Sequence, residues 1–288
     1  MTDAATPEFL TVPELATLLR LKERKIYDLA ASGAVPCSKA TGKLLFPAAD
    51  VRAWIDGGRT GGDASVRLQI ALGSHDPLLD WAIRESRCGL ASFFDGSHDG
   101  LARFGAGAGI MTGLHIHDPQ GGDWNSAAKA VAQGAVLVRF ATRSRGIVYR
   151  TSSRRITGLE SLKGMQIVPR QEESGTAGLF RTLASRAGLD LAKLHWSDVA
   201  RTEDEAVQTV SRGDADAAFG LQSVAQDFGL SFVPVIHERF DILVNRKAWF
   251  DPAFQKFWNF CRTDSFRRRA QNLAGYDIAD LGQVVWNG

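Results

Sequence analysis

The run Asp56-Gly57-Gly58-Arg59-Thr60-Gly61-Gly62-Asp63 constrains this chain more than any other feature: four glycines fall within eight residues. So much backbone freedom with so little side chain to bury cannot repay the entropy of ordering inside a core. The run reads as a flexible linker over 57–64. The 288 residues therefore divide into a small unit, 1–56, and a body, 65–288, large enough for two lobes.

Composition bounds what these units are. Hydrophobic residues make up 44% and charged residues 23%, the balance of an ordinary folded protein, not of a disordered, collagen-like or coiled-coil chain. No apolar run approaches the roughly 18 residues of a membrane-spanning helix. The start Met1-Thr2-Asp3-Ala4 lacks the basic and apolar regions of a secretory signal, so a cytoplasmic protein is expected. Cys37, Cys88 and Cys261 are odd in number with no close pair, which leaves neither a disulfide framework nor a Cys-x-x-Cys metal knuckle. Net charge is +2, from 34 Lys+Arg against 32 Asp+Glu. Any basic surface must be local.

In the small unit, Thr11-Val12-Pro13-Glu14 is a capping box with an early proline, and Leu15, Leu18 and Leu19 give one apolar helical face ending near Arg20. A second helix is predicted from Lys22 to Ala31, with Ile26, Leu29 and Ala30 facing inward. Pro36 to Phe46 reads as a hairpin turning at Ala40-Thr41-Gly42, and Asp50 to Ile55 as a short helix with Trp54 as a core plug. Two short helices joined tightly make a helix-turn-helix candidate. Lys22, Arg24 and Lys25 cluster at the start of the second helix beside Tyr27, while Lys39 and Lys43 flank the hairpin turn. A recognition helix with a basic wing needs this distribution to neutralise phosphates. Yet the first sixty residues hold eight basic and seven acidic side chains, so a solvated mixed-charge face is the alternative. The run from Phe9-Leu10-Thr11-Val12-Pro13-Glu14 through Arg24-Lys25-Ile26-Tyr27 to Gly42-Lys43-Leu44-Leu45-Phe46 resembles the excisionase-type, MerR-like winged helix-turn-helix. That resemblance implies binding to a double-stranded DNA operator.

From Ser65 the pattern alternates strand, small-residue loop and helix. Strands are predicted at Val66–Leu72, Cys88–Phe94 and Ile110–Ile116, and a long one from Val136 to Arg150. A short helix at Leu159–Gly164 precedes a strand at Met165–Pro169, and Asp214–Phe219 is another strand. Ser231 to Asn245 is extended and returns the chain to its first lobe. Such alternation means a parallel-rich sheet whose ligands sit at the strands' C-terminal ends. Arg170-Gln171-Glu172-Glu173-Ser174-Gly175-Thr176 opens a helix to about Ala187, offering hydroxyls and unpaired N–H groups that suit an anion, or simply an N-cap. Gly73-Ser74-His75-Asp76 is echoed by Gly96-Ser97-His98-Asp99. These loops, with Gly113-Leu114-His115-Ile116-His117-Asp118-Pro119, Phe232-Val233-Pro234, Glu238-Arg239-Phe240-Asp241, Gly275-Tyr276-Asp277 and Val285-Trp286, resemble the periplasmic-binding-protein-like domain of cytoplasmic regulators related to molybdate-binding proteins.

The resemblance implies an α/β two-lobed, type II periplasmic-binding-protein-like domain (lobe 1 about 65–150 and 236–288, lobe 2 about 151–235). The whole is then a one-component transcriptional regulator. Its effector would be a small oxyanion, molybdate or tungstate, held by Ser74, Ser97 and the Ser174-Gly175-Thr176 turn, with Arg170 and Arg239 as supplementary cations. No covalent cofactor is implied. Glu172 and Glu173 would repel a dianion unless they point outward or pair with arginine. A larger ligand, such as a molybdenum-cofactor species or another small metabolite, would use Trp124 and Asn125. His75, His98, His115 and His117 offer a transition-metal site as the rival reading. No Gly-x-Ser-x-Gly elbow, Walker loop or His-Glu-x-x-His occurs, so no enzyme is expected. Arg267-Arg268-Arg269, with Lys256 and Arg262 upstream, reads as a solvated helical face, with a subunit or DNA-backbone contact as the alternative. Lobe closure in a homodimer on a two-fold site is the expected mechanism.

Overall fold

The computed structural model describes residues 8–39, 42–57, 67–120, 122–151 and 156–288. It divides into two units, 1–66 and 67–288. The expected linker lies outside the described residues from position 58 onward, as does the expected turn at Ala40 and Thr41.

The first unit contains β1 (Phe9–Leu10), α1 (Val12–Leu19), α2 (Glu23–Ala31), β2 (Phe46–Pro47) and α3 (Ala48–Gly57). The Thr11 amide donates to Glu14 at 2.7 Å, which satisfies a free donor at the start of α1. Arg20 then takes a left-handed conformation, φ 54°, and ends the helix. Leu15, Ile26, Phe46 and Val51 are fully buried and form the core, with Trp54 half-buried against it. Among the described residues of the hairpin expected over 36–46, Ser38 and Leu45 form an antiparallel bridge. Phe46 and Pro47 instead pair with Leu10 and Phe9, because Phe46 is drawn into the core beneath α1 and carries its strand across to β1.

The second unit runs β3 (Ile70–Gly73), α4 (Pro77–Ser86), β4 (Ala91–Phe94), α5 (Ser97–Gly105), β5 (Met111–Leu114), α6 (Ala128–Val131) and β6 (Ala135–Tyr149), then β7 (Gln166–Val168), α7 (Gly175–Arg186), β8 (His195–Trp196), α8 (Glu203–Arg212), β9 (Ala217–Leu221) and α9 (Gln222–Asp227). It closes with β10 (Ser231–Asn245), α10 (Pro252–Phe260), α11 (Asp264–Asn272), β11 (Tyr276–Asp277) and β12 (Val284–Asn287). One ten-stranded sheet has the order β4-β3-β5-β10-β6-β9-β7-β8, and β11 and β12 also pair with β6.

Two long antiparallel strands, β6 and β10, run through both lobes. In lobe 1, β3 pairs in parallel with β4 and β5. In lobe 2, β7 pairs in parallel with β8 and β9. The far end of β6, Arg145 to Tyr149, pairs with β9, so this strand belongs to both lobes. β10 has register breaks between Pro234 and Ile236 and between Phe240 and Asp241, bulges that bend a strand where it changes lobes. Lobe 1 packs α4, α10 and α11 over Phe140 and Phe240, with Phe254 and Phe257 of α10 in the same core. Lobe 2 packs α7, through Phe180, against Ile167 and Phe219. The short helix expected at 159–164 is a 3-10 turn, Leu159–Leu162.

Candidate functional site

Loops from both lobes meet where strands of parallel sheets end. Ser74 follows β3 and Ser97 opens α5; their hydroxyls lie 2.8 Å apart, both buried. Ser97 Oγ also accepts from the His115 amide at 3.1 Å, just past β5. From lobe 2, Ser174 caps α7 by accepting from the Ala177 amide, and Thr176 donates to Glu203 Oε1 at 3.0 Å. Gly175 sits directly on lobe 1: a Cβ there would lie 2.7 Å from the His115 carbonyl oxygen. Gly96, at φ 111°, is equally constrained, since a Cβ would meet the Glu173 carbonyl oxygen at 2.7 Å. The N-termini of α5 and α7 thus converge with their hydroxyls in a closed cleft.

The cleft mouth is tied by further contacts. The His98 amide donates to the Glu173 carbonyl at 3.1 Å. Arg201 forks onto both Asp95 carboxylate oxygens at 2.9 and 3.1 Å, and Gln171 donates to the same carboxylate. Glu172 and Glu173 do not crowd the serines. Glu172 is solvent-exposed and pairs with Arg181 at 3.2 Å, and Glu173 is exposed.

Behind the serines lies a buried ion cluster. Arg143 donates to Asp76 Oδ2 at 2.7 Å and to Glu238 Oε1. Arg145 donates to Glu238 Oε2 at 2.8 Å and pairs with Glu203 at 2.9 Å. Arg170 contacts Glu203 at 2.8 Å, Tyr276 donates to Asp76 at 2.6 Å, and His115 Nδ1 lies 3.2 Å from Glu238 Oε2. Burial alone would push Glu238 up, but Arg143 and Arg145 outweigh it and hold the carboxyl well below its usual range. Burial likewise opposes ionisation of Glu203, yet Arg145 and Arg170 bring it down to about 2. His115 is lowered, first by burial and then by the two arginines against Glu238, which favours the neutral ring. Three guanidiniums face three carboxylates, so the cluster is electroneutral.

The other expected ligand residues have structural employment. Asn125, buried at φ 61°, accepts from the Ile116 amide at 2.7 Å and donates to Leu114 O and Asp241. Its amide is spent on holding its own loop. Trp124 packs edge-on against His117, ring centroids 5.1 Å apart. Arg239 ties the same loop through Asp241, Asp123 and the Trp124 carbonyl. Arg170 donates to the Ala200 and Arg201 carbonyls as well as meeting Glu203. The metal reading is corrected: among the described residues no group of three or more His, Cys, Asp or Glu side chains could hold an ion. His75 packs on Phe94 and His117 on Trp124, His98 is exposed, and His115 is engaged by Glu238. Arg267 pairs with Asp264 within its own helix, and Arg269 lies over the Trp81 ring.

In the first unit, Lys22, Arg24, Lys25 and Tyr27 are all exposed at the start of α2, and Lys39 and Lys43 are exposed on the wing. Tyr27, Lys39 and Lys43 share one concave surface with Thr11 and Pro13 at the start of α1.

Residues 81–262, more than half of the chain, match the family model of the PBP superfamily domain. The chain belongs to the PBP superfamily. Residues 9–59 match a helix-turn-helix domain, so a DNA-binding module precedes the PBP domain. An uncharacterized protein of Bacillus subtilis, YvgK, is 22% identical over 96% of this chain and 97% of its own length. Among solved structures, a substrate-binding protein from Clostridium perfringens with bound phosphate superposes with TM-score 0.55 at 13% identity, over 70% of this chain and 96% of that one. A Corynebacterium glutamicum OxyR mutant with hydrogen peroxide bound gives TM-score 0.53 at 12% identity, over 92% and 90%. These likenesses establish the periplasmic-binding-protein-like fold. Among the described residues no helix is long and apolar enough to cross a membrane.

The ion cluster of the PBP domain is what sequence reasoning missed. Arg143 and Arg145 stand two apart in a mostly apolar strand, which places both on one face, and that was a usable signal of a buried counter-charge. The cluster also fixes the domain's response to acid. Glu203 and Glu238 have folded-state values below those of the unfolded chain, so their contribution is present above about pH 4.5 and lost as pH falls below it, for Glu203 toward about 2. His115 resists protonation when folded, so its penalty begins below about pH 6.5. Both act in one direction, His115 from about pH 6.5 downward and the glutamates below about pH 4.5, so the PBP domain is expected to be less stable at pH 3 than at pH 7. Equal unfolding midpoints in urea at those two pH values would contradict the cluster.

Proposed function

We propose that this chain is a ligand-responsive transcriptional regulator whose PBP domain senses a small oxyanion, molybdate or tungstate, by lobe closure. The observation that carries the reading is the close approach of the α5 and α7 N-termini, which brings Ser74 and Ser97 of lobe 1 to Ser174 and Thr176 of lobe 2. Hydroxyls and helix-start N–H groups stabilise an anion through dipoles, without a dedicated counter-charge. That suits a site beside an electroneutral cluster whose three guanidiniums are all committed to carboxylates. The phosphate held by the Clostridium perfringens protein belongs to the same class of tetrahedral oxyanion. Because residues of both lobes line the cleft, a bound anion favours the closed state by whatever it gains from both.

Lys22, Arg24, Lys25 and Tyr27 of α2 would enter the operator, with Lys39 and Lys43 on flanking phosphates. A recognition helix of this size reads few base pairs, so a homodimer on a two-fold site is part of the reading. Closure would alter the relation of the two recognition helices and hence operator affinity.

Thermal unfolding with molybdate, tungstate, sulfate, phosphate, zinc and nickel tests the effector. Ligand at a hundred times its dissociation constant adds about 2.7 kcal/mol, or about 5–10 °C for a domain of this size. A shift with molybdate or tungstate and none with sulfate is the expected result. No shift with any oxyanion, or a shift with a metal alone, would overturn the reading.

A further inference from the structure

Lobe 2 contains a cavity of about 220 Å³ lined by its own residues alone, which adjoins the cleft through Arg170 and Thr176. It opens between α7 and the edge of the sheet. Its walls are mainly apolar, with Phe180 from α7, Trp196 from the edge strand β8 and Phe219 from β9. The three rings form a connected corner: Phe180 meets Trp196 edge-on at 6.3 Å and Phe219 at 5.3 Å. A cavity of about 150 Å³ with such walls stays dry and accepts benzene, so this one has room for a single ring with a short substituent. Trp196 remains 43% exposed beside it. An edge-strand tryptophan left half in water next to unfilled apolar space is apolar surface available to a ligand.

The rim selects the charge. Arg170 and Arg181 both line the cavity, with Glu172 as the facing carboxylate. Arg170 is committed inward to Glu203 and to backbone carbonyls. Arg181 is half-exposed and uses one donor, on the exposed Glu172. A guanidinium has five N–H donors, so Arg181 retains the fork that matches a carboxylate.

We propose that lobe 2 carries a second ligand site, adjoining the interlobe cleft but formed by lobe 2 alone, for a small aromatic monocarboxylate. The ring lies among Phe180, Trp196 and Phe219, and the carboxylate lies on Arg181. The apolar walls gain nothing from a bare inorganic anion, which would give up its hydration for the rim guanidinium alone. The basic rim disfavours a cation. Ala177 of α7 also lines the space, so a larger side chain there would occupy the position of the ring.

The test is calorimetric titration of the full chain with phenylacetate, its neutral isostere 2-phenylethanol, and acetate. Phenylacetate is expected to bind saturably, about tenfold more tightly than 2-phenylethanol, while acetate does not bind. Arg181→Met should remove the preference for the carboxylate and leave 2-phenylethanol binding unchanged. Ala177→Leu should abolish binding of both aromatic probes, with folding verified by an unchanged circular dichroism spectrum. Absence of saturable phenylacetate binding would overturn the site. So would an acid preference that survives Arg181→Met, or aromatic binding that survives Ala177→Leu. Should Ala177→Leu fail to fold, the Arg181→Met comparison decides alone, because that residue is at the surface.

Discussion

Replacing Glu238 by alanine is expected to destabilise the PBP domain by about 3–5 kcal/mol, the cost of stranding buried charge when one partner of an ion pair is removed. Glu238 is fully buried and lies between Arg143 and Arg145, which are equally buried. Without it, Asp76 and Glu203 remain to face Arg143, Arg145 and Arg170, leaving one positive charge uncompensated in a medium of low polarity. For a domain of this size the loss corresponds to a fall in Tm of about 6–20 °C, readable in its calorimetric transition. Glu238→Gln keeps the shape and part of the hydrogen bonding but not the charge, so it should lie between wild type and alanine. A loss below about 1 kcal/mol for Glu238→Ala, the scale of an exposed pair, would mean that the cluster is hydrated in solution.

The second large effect concerns DNA. Lys22, Arg24 and Lys25 are exposed, so converting all three to alanine should spare the core of the first unit and act on phosphate neutralisation. Every phosphate that a side chain no longer neutralises takes about 0.9 off the slope of log affinity against log salt, so the triple variant should flatten it by up to about 2.7. Fluorescence anisotropy on a duplex of arbitrary sequence suffices, because this electrostatic effect is independent of sequence. A slope equal to that of the wild type would take these residues out of the interface.

Much of the framework is legible in the sequence because it is written locally. The strand Ser231–Asn245 has the bounds that its β-branched and aromatic content predicts. Asp76 caps α4 through the Leu79 amide at 2.7 Å, with Pro77 in the first turn, as a polar residue before proline signals. Boundaries shift where loop geometry intervenes. The strand expected from Cys88 begins only at Ala91, because Arg87 and Gly89 both adopt positive φ, 49° and 83°, to turn the chain out of α4. The strand expected from Val66, a residue outside those described, begins at Ile70.

The site divides in the same way. Sequence alone marks Ser74, Ser97 and Ser174 as hydroxyls at loop–helix junctions, because capping and turn chemistry act within a few residues. It also marks the basic start of α2, where neighbouring side chains share one helix end. The tertiary structure alone decides that Asp76, Arg143, Glu203, Glu238 and Tyr276 meet in one buried cluster. It also decides that Asn125 and Arg239 serve their own loop, and that Phe180, Trp196 and Phe219 frame a cavity. Those partnerships join residues up to 200 positions apart, and nothing in local spacing records them. They arise because β6 and β10 carry arginines and a glutamate into a space that neither strand encloses alone, where burial makes every unpaired charge costly enough to choose its neighbour.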